Sequence, residues 1–202
     1  MADGSTKHRV IAVATVAFAD HGVAGTSLDD LARRLDITKQ TILYHFGSKD
    51  GLVTEVLAAG ARDLLVVLDE ASDASDAGWD RIDAIVRASF QLAVARPELL
   101  GLLRELGRLG PARSGPVLET LQPLIDAAVA ELEHGMDDGR FRRSDPRLVL
   151  VSAYAAVTGV VADGEVLRAV GLDLDLRVAV RLRGVVLAFL RAALVPEVPP
   201  LR

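Results

Sequence analysis

The 202-residue chain has no cysteine, which excludes disulfide staples, thiol redox chemistry and cysteine–zinc sites. Aromatic residues make up only 4% of a sequence that is 50% hydrophobic, so its core must be built from alanine, valine and leucine. That composition suits helices packed through aliphatic side chains. No uncharged run is long enough to cross a bilayer, because the longest, Leu148 to Ala162, falls short of the roughly 20 residues needed. The N-terminal MADGSTKHR leads into an amphipathic segment and not an apolar signal core, so a cytoplasmic protein with no membrane partner is expected. There is no nucleophile elbow, phosphate loop or cluster of metal ligands, so no catalytic residue, metal or cofactor is expected, and the chain does not read as an enzyme. His134, near Asp137 and Asp138, reads as part of a solvated charge run.

The net charge of −5 is unevenly spread. Residues 1–50 hold six basic side chains (Lys7, Arg9, Arg33, Arg34, Lys39, Lys49) and six acidic ones, so they sum to zero. All three lysines lie there, and the whole negative excess lies beyond residue 50. A surface so weakly basic has modest affinity for phosphates, which favours a dimer that uses two copies of it.

The stretch SLDDLARRLDITKQTILYHF, residues 27–46, carries the most information. Ser27 and Asp30 have capping-box spacing, and Leu28, Leu31, Ala32 and Leu35 then recur at helical intervals. Asp36 tolerates the left-handed geometry of a tight turn, and Thr38 can cap a second helix. On that helix Ile42 and Phe46 face inward, while Lys39, Gln40, Leu43 and Tyr44 face out. A cation, an amide, an apolar side chain and a phenol on one exposed face suit a groove lined with phosphates and base edges. Double-stranded DNA is therefore the expected partner.

Around this unit the pattern is helical throughout, and no stretch shows strand alternation. A first helix is expected over Lys7–Asp20 with Gly22 just past its end, and a longer one from Lys49 to about residue 70. Further helices follow at about 79–95, 98–109, 117–136, 146–169 and 175–194, with breakers between them. These breakers include a loop at 110–116 and Asp145-Pro146, an N-cap followed by proline at the first helical position. The PEVPP tail cannot continue a helix and reads as loose. The last two helices carry too much apolar surface for one buried face. They form either a central core pair or, by a sharper reading, an interface with a second copy of the chain through Tyr154, Val157, Val161, Val178, Leu182, Val186, Phe189 and Leu190. Ala153, Ala156, Gly159 and Ala162 would permit close approach there. The homodimer is preferred, since a palindromic DNA site also requires it.

Taken together, Arg9, Ile11, Ala14, Phe18, Gly22, Thr26-Ser27, Leu31-Ala32, Ile37-Thr38-Lys39, Thr41, Tyr44-His45-Phe46, Ser48-Lys49 and Leu52 make residues 9–57 resemble the TetR (tetracycline repressor-like) transcription regulators. The resemblance implies an all-α protein. An N-terminal three-helix helix-turn-helix DNA-binding domain would cover residues 1–48. A C-terminal helical ligand-binding and dimerisation domain would cover 49–202, with helix 49–70 as a linking lever. It further implies a regulator, most often a repressor, that binds a palindromic operator as a homodimer and is released by a small effector. Thr26 and Ser27 match phosphate contacts in that family, Thr38, Lys39, Gln40, Thr41 and Tyr44 the recognition-helix surface, and Lys49 a phosphate clamp; Leu43 and His45 on the same helix are further DNA-contact candidates. Leu43 departs from the family's usual tyrosine and Asp36 from its usual turn glycine.

The same resemblance places an effector site within residues 75–145. Phe90, Val94, Leu102, Leu103, Leu106, Leu121, Ile125 and Tyr154 are its candidate lining, with Gln122 and Thr158 as polar handles. The scarcity of aromatics and histidine favours a hydrophobic, acyl-type effector. The competing reading is a DNA-bound architectural or protein-recruiting dimer without an effector.

Overall fold

In the computed structural model the chain is all helical, with no strand among the described residues. The structure describes residues 2–162, 164–173 and 175–196; within them the side chains at 2–4, 100, 103–105, 107, 112–113, 160–162 and 164–165 are not among those described. The helices are α1 (Ala2–Gly25), α2 (Leu28–Leu35), α3 (Lys39–Phe46), α4 (Lys49–Asp73), α5 (Trp79–Ala95), α6 (Pro97–Arg108), α7 (Pro111–Asp137), α8 (Pro146–Ala162), α9 (Gly164–Ala169) and α10 (Leu176–Leu194). None of the described helices is long and apolar enough to cross a membrane. The chain forms two compact units, residues 1–64 with 96–121, and 65–95 with 122–202.

In the first unit, α1, α2 and α3 close around Val10, Phe18, Leu31 and Ile42, all fully buried, and α4 adds Leu52, Val53 and Val56. Helix α6 packs along α1. Their crossing is made possible by Gly101, since a Cβ there would lie 2.5 Å from Ala19 Cβ and 2.8 Å from Ala19 Cα. Gly60 of α4 plays a similar part beneath Leu99 and Leu102. Helix α1 breaks at Gly22, whose φ of 71° and ψ of 163° lie outside the helical region, which is the end expected from its position in the sequence.

The turn between α2 and α3 is a Schellman-type cap. Asp36 takes the left-handed conformation at φ 54°, ψ 47°, and the Ile37 N–H reaches back to Ala32 O at 3.0 Å. Asp36 is the one non-glycine residue at positive φ among the described residues. A left-handed L-residue costs roughly 1–2 kcal/mol, less for aspartate, and glycine gives back part of that gain as unfolded-state entropy. Asp36→Gly is therefore expected to raise the unfolding free energy by about 0.5 kcal/mol, read from urea denaturation; a lower midpoint would contradict this account of the turn.

In the second unit, α10 packs against α5 and α8. Leu132, Met136, Phe141 and Leu194 form a buried cluster flanked by Trp79, Ile82, Val149, Leu150 and Val195. The Phe141 ring lies directly on Gly135, where a Cβ would come within 2.3 Å of it. Glu131 of α7 secures the preceding connection: it accepts the Gly78 N–H at 2.7 Å and pairs with Arg81 at 3.0 Å. Asp145 caps α8 as expected, accepting from the N–H groups of Arg147 at 2.8 Å and Leu148 at 3.3 Å.

Two expected boundaries are corrected. The loop at 110–116 is helical, because Pro111 occupies the first position of α7, where its missing N–H costs nothing, and the helix continues past Pro116. Helix α1 begins at Ala2, before Lys7. The expected helix 146–169 is described as α8 up to residue 162 and α9 from residue 164, and residue 163 lies outside the described residues. Most of the PEVPP tail, from residue 197, lies outside the described residues.

Candidate nucleic-acid interface

The α2–turn–α3 unit is held by two side-chain caps. Asp30 N–H donates to Ser27 Oγ at 3.0 Å, and the Ser27 hydroxyl donates to Asp30 Oδ2 at 2.6 Å. That hydrogen bond, assisted by Arg33, holds the Asp30 carboxyl below the usual carboxylate range. Thr38 Oγ1 accepts the Thr41 N–H at 3.1 Å and shares a hydrogen bond with Thr41 Oγ1 at 2.9 Å. Both caps leave their residues exposed at helix N-termini, where hydroxyls and N–H groups suit phosphate oxygens.

Ile42 and Phe46 anchor α3 in the core, as their spacing predicts. The opposite face presents Thr38, Lys39, Gln40 and Tyr44, the last 79% exposed. Thr41, Leu43 and His45 are half-buried at the edges of that face. His45 lies edge-on between Tyr44 and Phe46, with ring centroids 5.3 and 6.1 Å away. Gly47, at φ 72°, ends α3, and Ser48 Oγ accepts the Gly51 N–H at 3.0 Å to start α4. Lys49 is half-buried there, on an open cleft lined also by His21, Asp50 and Arg108.

Thr26 does not share this surface. It is 5% exposed, and its hydroxyl donates to Ala17 O at 3.1 Å and Gly22 O at 3.0 Å, plugging the broken end of α1. Its expected phosphate contact is corrected: the hydroxyl is spent inside, and Ser27 alone of the pair faces out.

Most of the cations of residues 1–50 are already engaged. Lys7 pairs with Glu55 at 3.2 Å, Arg33 with Asp30 at 3.1 Å and Lys39 with Asp29 at 2.9 Å, while Arg9 donates to Leu35 O at 3.3 Å. Only Arg34 and Lys49 form no ion pair or hydrogen bond among the described residues. The carboxylate of Asp29 beside the recognition helix was missed from the sequence, although its place on the outward side of α2 was the signal.

The expected effector lining does not gather in one unit. Leu102, Leu106 and Leu121 belong to the first unit, where Leu102 is core against Gly60. Phe90, Val94, Gln122, Ile125, Tyr154 and Thr158 belong to the second. Phe90 is buried and Ile125 and Thr158 half-buried, but Val94, Gln122 and Tyr154 are exposed. The Gln122 amide donates to Asp126 at 2.9 Å, and the Thr158 hydroxyl to Tyr154 O at 2.7 Å. The Leu103 side chain lies outside the described residues.

The apolar face of α8 and α10 also differs from expectation. Val186 and Leu190, expected at an interface, are 5% and 3% exposed and belong to the chain's own core. Val157, Val178 and Leu182 are half-buried, and the Val161 side chain lies outside the described residues. Tyr154 and Phe189 are exposed as expected, and Val151 and Val185, not foreseen, join them.

Residues 10–56 match the family model of bacterial regulatory proteins of the tetR family. The HTH-type transcriptional repressor SCO4008 of Streptomyces coelicolor is 32% identical over 99 residues, which is 49% of this chain and 48% of that protein. The match thus spans about half the length of that curated relative. Among solved structures, the ketosteroid regulator KstR2 of Mycobacterium tuberculosis superposes with a TM-score of 0.76 at 21% identity, covering 95% of this chain and 96% of that one. AibR, solved with isovaleryl coenzyme A and operator DNA, gives 0.78 at 16% identity, covering 91% and 96%. Residues 10–56 are thus similar to the tetR family of bacterial regulatory proteins, and the solved structures show the same fold over the chain.

Proposed function

We propose that this chain is a cytoplasmic DNA-binding transcriptional regulator, a repressor that docks on a palindromic operator as a homodimer and is released by a small hydrophobic effector. The observation that carries the DNA-binding part is the solvent-facing side of α3, with Thr38, Lys39, Gln40 and Tyr44 outward and Lys49 beyond it. Ser27, Thr38 and Lys49 contact phosphates; Gln40 and Lys39 read adenine and guanine edges; half-buried Leu43 meets a thymine methyl group. Residues 1–48 are the DNA-binding part and 49–202 the effector and dimerisation part. Repression is supported by the name of the Streptomyces relative, and an acyl-type effector by the isovaleryl coenzyme A in AibR.

The homodimer is supported by the exposed Val151 and Tyr154 on α8 and Val185 and Phe189 on α10. Residues Phe90, Ile125 and Thr158 remain the effector candidates of the second unit, and any ligand acts only by binding the free and DNA-bound states unequally.

Selection of bound duplexes from a random pool tests the reading directly. Lys49→Ala is expected to weaken binding to every duplex and to lower the slope of log affinity against log salt by about one unit. Gln40→Ala is expected to change which duplexes are selected. Two variants indistinguishable from the parent in both assays would remove this face from consideration. Failure of any acyl compound to release the selected duplex would favour the effector-free architectural dimer.

A further inference from the structure

The strongest unassigned feature is an ion pair on the proposed DNA-facing surface. Lys39 Nζ, at the first position of the recognition helix, lies 2.9 Å from Asp29 Oδ2 on the preceding helix. Both side chains are largely open to water, at 46% and 63% exposure, so the pair is not a buried strut. An exposed pair of this kind contributes little to folding and is readily exchanged for another partner. Here the competing partner is the polyanion itself. Asp29 also puts a fixed negative charge beside the helix that must approach phosphates, in a segment with no net positive charge to spare.

We propose that Asp29 is a specificity-determining positioning residue, which acts by holding Lys39 in the free protein and so suppresses affinity for generic duplex DNA. On any duplex, Lys39 must leave Asp29 before it can meet a phosphate or a guanine edge. A generic phosphate returns only a screened, mobile contact for that exchange. A correctly placed guanine returns hydrogen bonds to O6 and N7, so the exchange is favourable chiefly at the operator. The carboxylate thus raises the ratio of specific to non-specific binding by lowering the second term. The inference rests on the DNA-binding reading above and adds to it the role of a residue that repels DNA.

The test uses the full chain, a generic 30-base-pair duplex of about that length and a duplex selected from the random pool, in a salt titration. Asp29→Asn is expected to tighten binding to the generic duplex about threefold or more and to steepen its salt slope by about one unit, as Lys39 becomes available. Binding to the selected duplex changes less, so the specificity ratio falls. Asp29→Glu is expected to restore parental behaviour. Lys39→Met removes the same link between helices, yet is expected to weaken binding. A purely structural staple would move both variants in the same direction, so a loss of affinity in Asp29→Asn would overturn the proposal, as would no change. Lys49→Ala in the same titration separates the two ideas: if it still weakens binding while Asp29→Asn does nothing, the DNA-binding reading stands and this inference fails. A parent chain that binds neither duplex would defeat both.

Discussion

Gly101→Val is expected to lower the unfolding free energy by about 3 kcal/mol, and Gly101→Ala by about 1–2 kcal/mol, the range set by overpacked interiors. In a helix interior, glycine to alanine ordinarily gains up to about 1 kcal/mol from propensity. The sign reverses here because the added Cβ meets Ala19 Cβ at 2.5 Å, its Cα at 2.8 Å and its carbonyl oxygen at 3.2 Å. Two of those atoms are backbone, so no rotamer change relieves the clash, and α1 and α6 must separate. Separation also strips contacts from Leu102 and Leu99, which close over Gly60 from the same helix. Urea denaturation of the two variants decides the matter. If Gly101→Ala stabilised the chain, the close crossing of α1 and α6 would not be a feature of the folded protein.

The double substitution Val185→Glu with Phe189→Glu is expected to leave helix content unchanged while making the chain monomeric in sedimentation. The two side chains are 67% and 61% exposed, one turn apart on α10, so neither charge is buried by folding. In a dimer that covers this face, each copy must bury two unpaired carboxylates, a cost of several kcal/mol per ion. At about 1.4 kcal/mol per tenfold, that is a loss of at least about 100-fold in self-association, with a matching loss of operator binding. The neighbouring residues make the contrast. Val186→Glu or Leu190→Glu places the charge in the chain's own core and is expected to unfold the second unit. A double variant that sediments as the parent does would move the dimer interface elsewhere.

The helix-turn-helix was legible because each of its local choices agrees with the whole. Ser27, Asp36 and Thr38 are cap and turn residues in the right places, and Ile42 and Phe46 have helical spacing with polar side chains between them. Helix α10 was harder to read because it is apolar most of the way round. Periodicity shows that Val185 and Val186 lie on adjacent stripes, but only the packing of α5 and α8 determines that Val186 points inward. Thr26 and Ser27 posed a similar problem, since two adjacent hydroxyl residues cannot both point the same way. The break in α1 at Gly22 draws Thr26 to the inside by offering it two carbonyls. The Gly- and Pro-rich run at 110–116 misled for a local reason, since Pro111 starts a helix as readily as proline ends one. The closeness of Asp29 and Lys39 depends on the turn geometry at Asp36, so a pairing across ten residues was not visible from spacing along either helix.

If the proposed dimer covers the exposed Val151, Tyr154, Val185 and Phe189, the stability of the fold is governed by mass action. A second copy that binds the folded chain and not the unfolded one adds a stabilising contribution that grows with the logarithm of protein concentration. The thermal midpoint would then rise on concentration and fall on dilution, although no residue of the chain has changed. A chain that forms the proposed dimer would be less stable when dilute, because the same dilution that separates the copies also returns Phe189 and its neighbours to water. Abundance and durability would rise together.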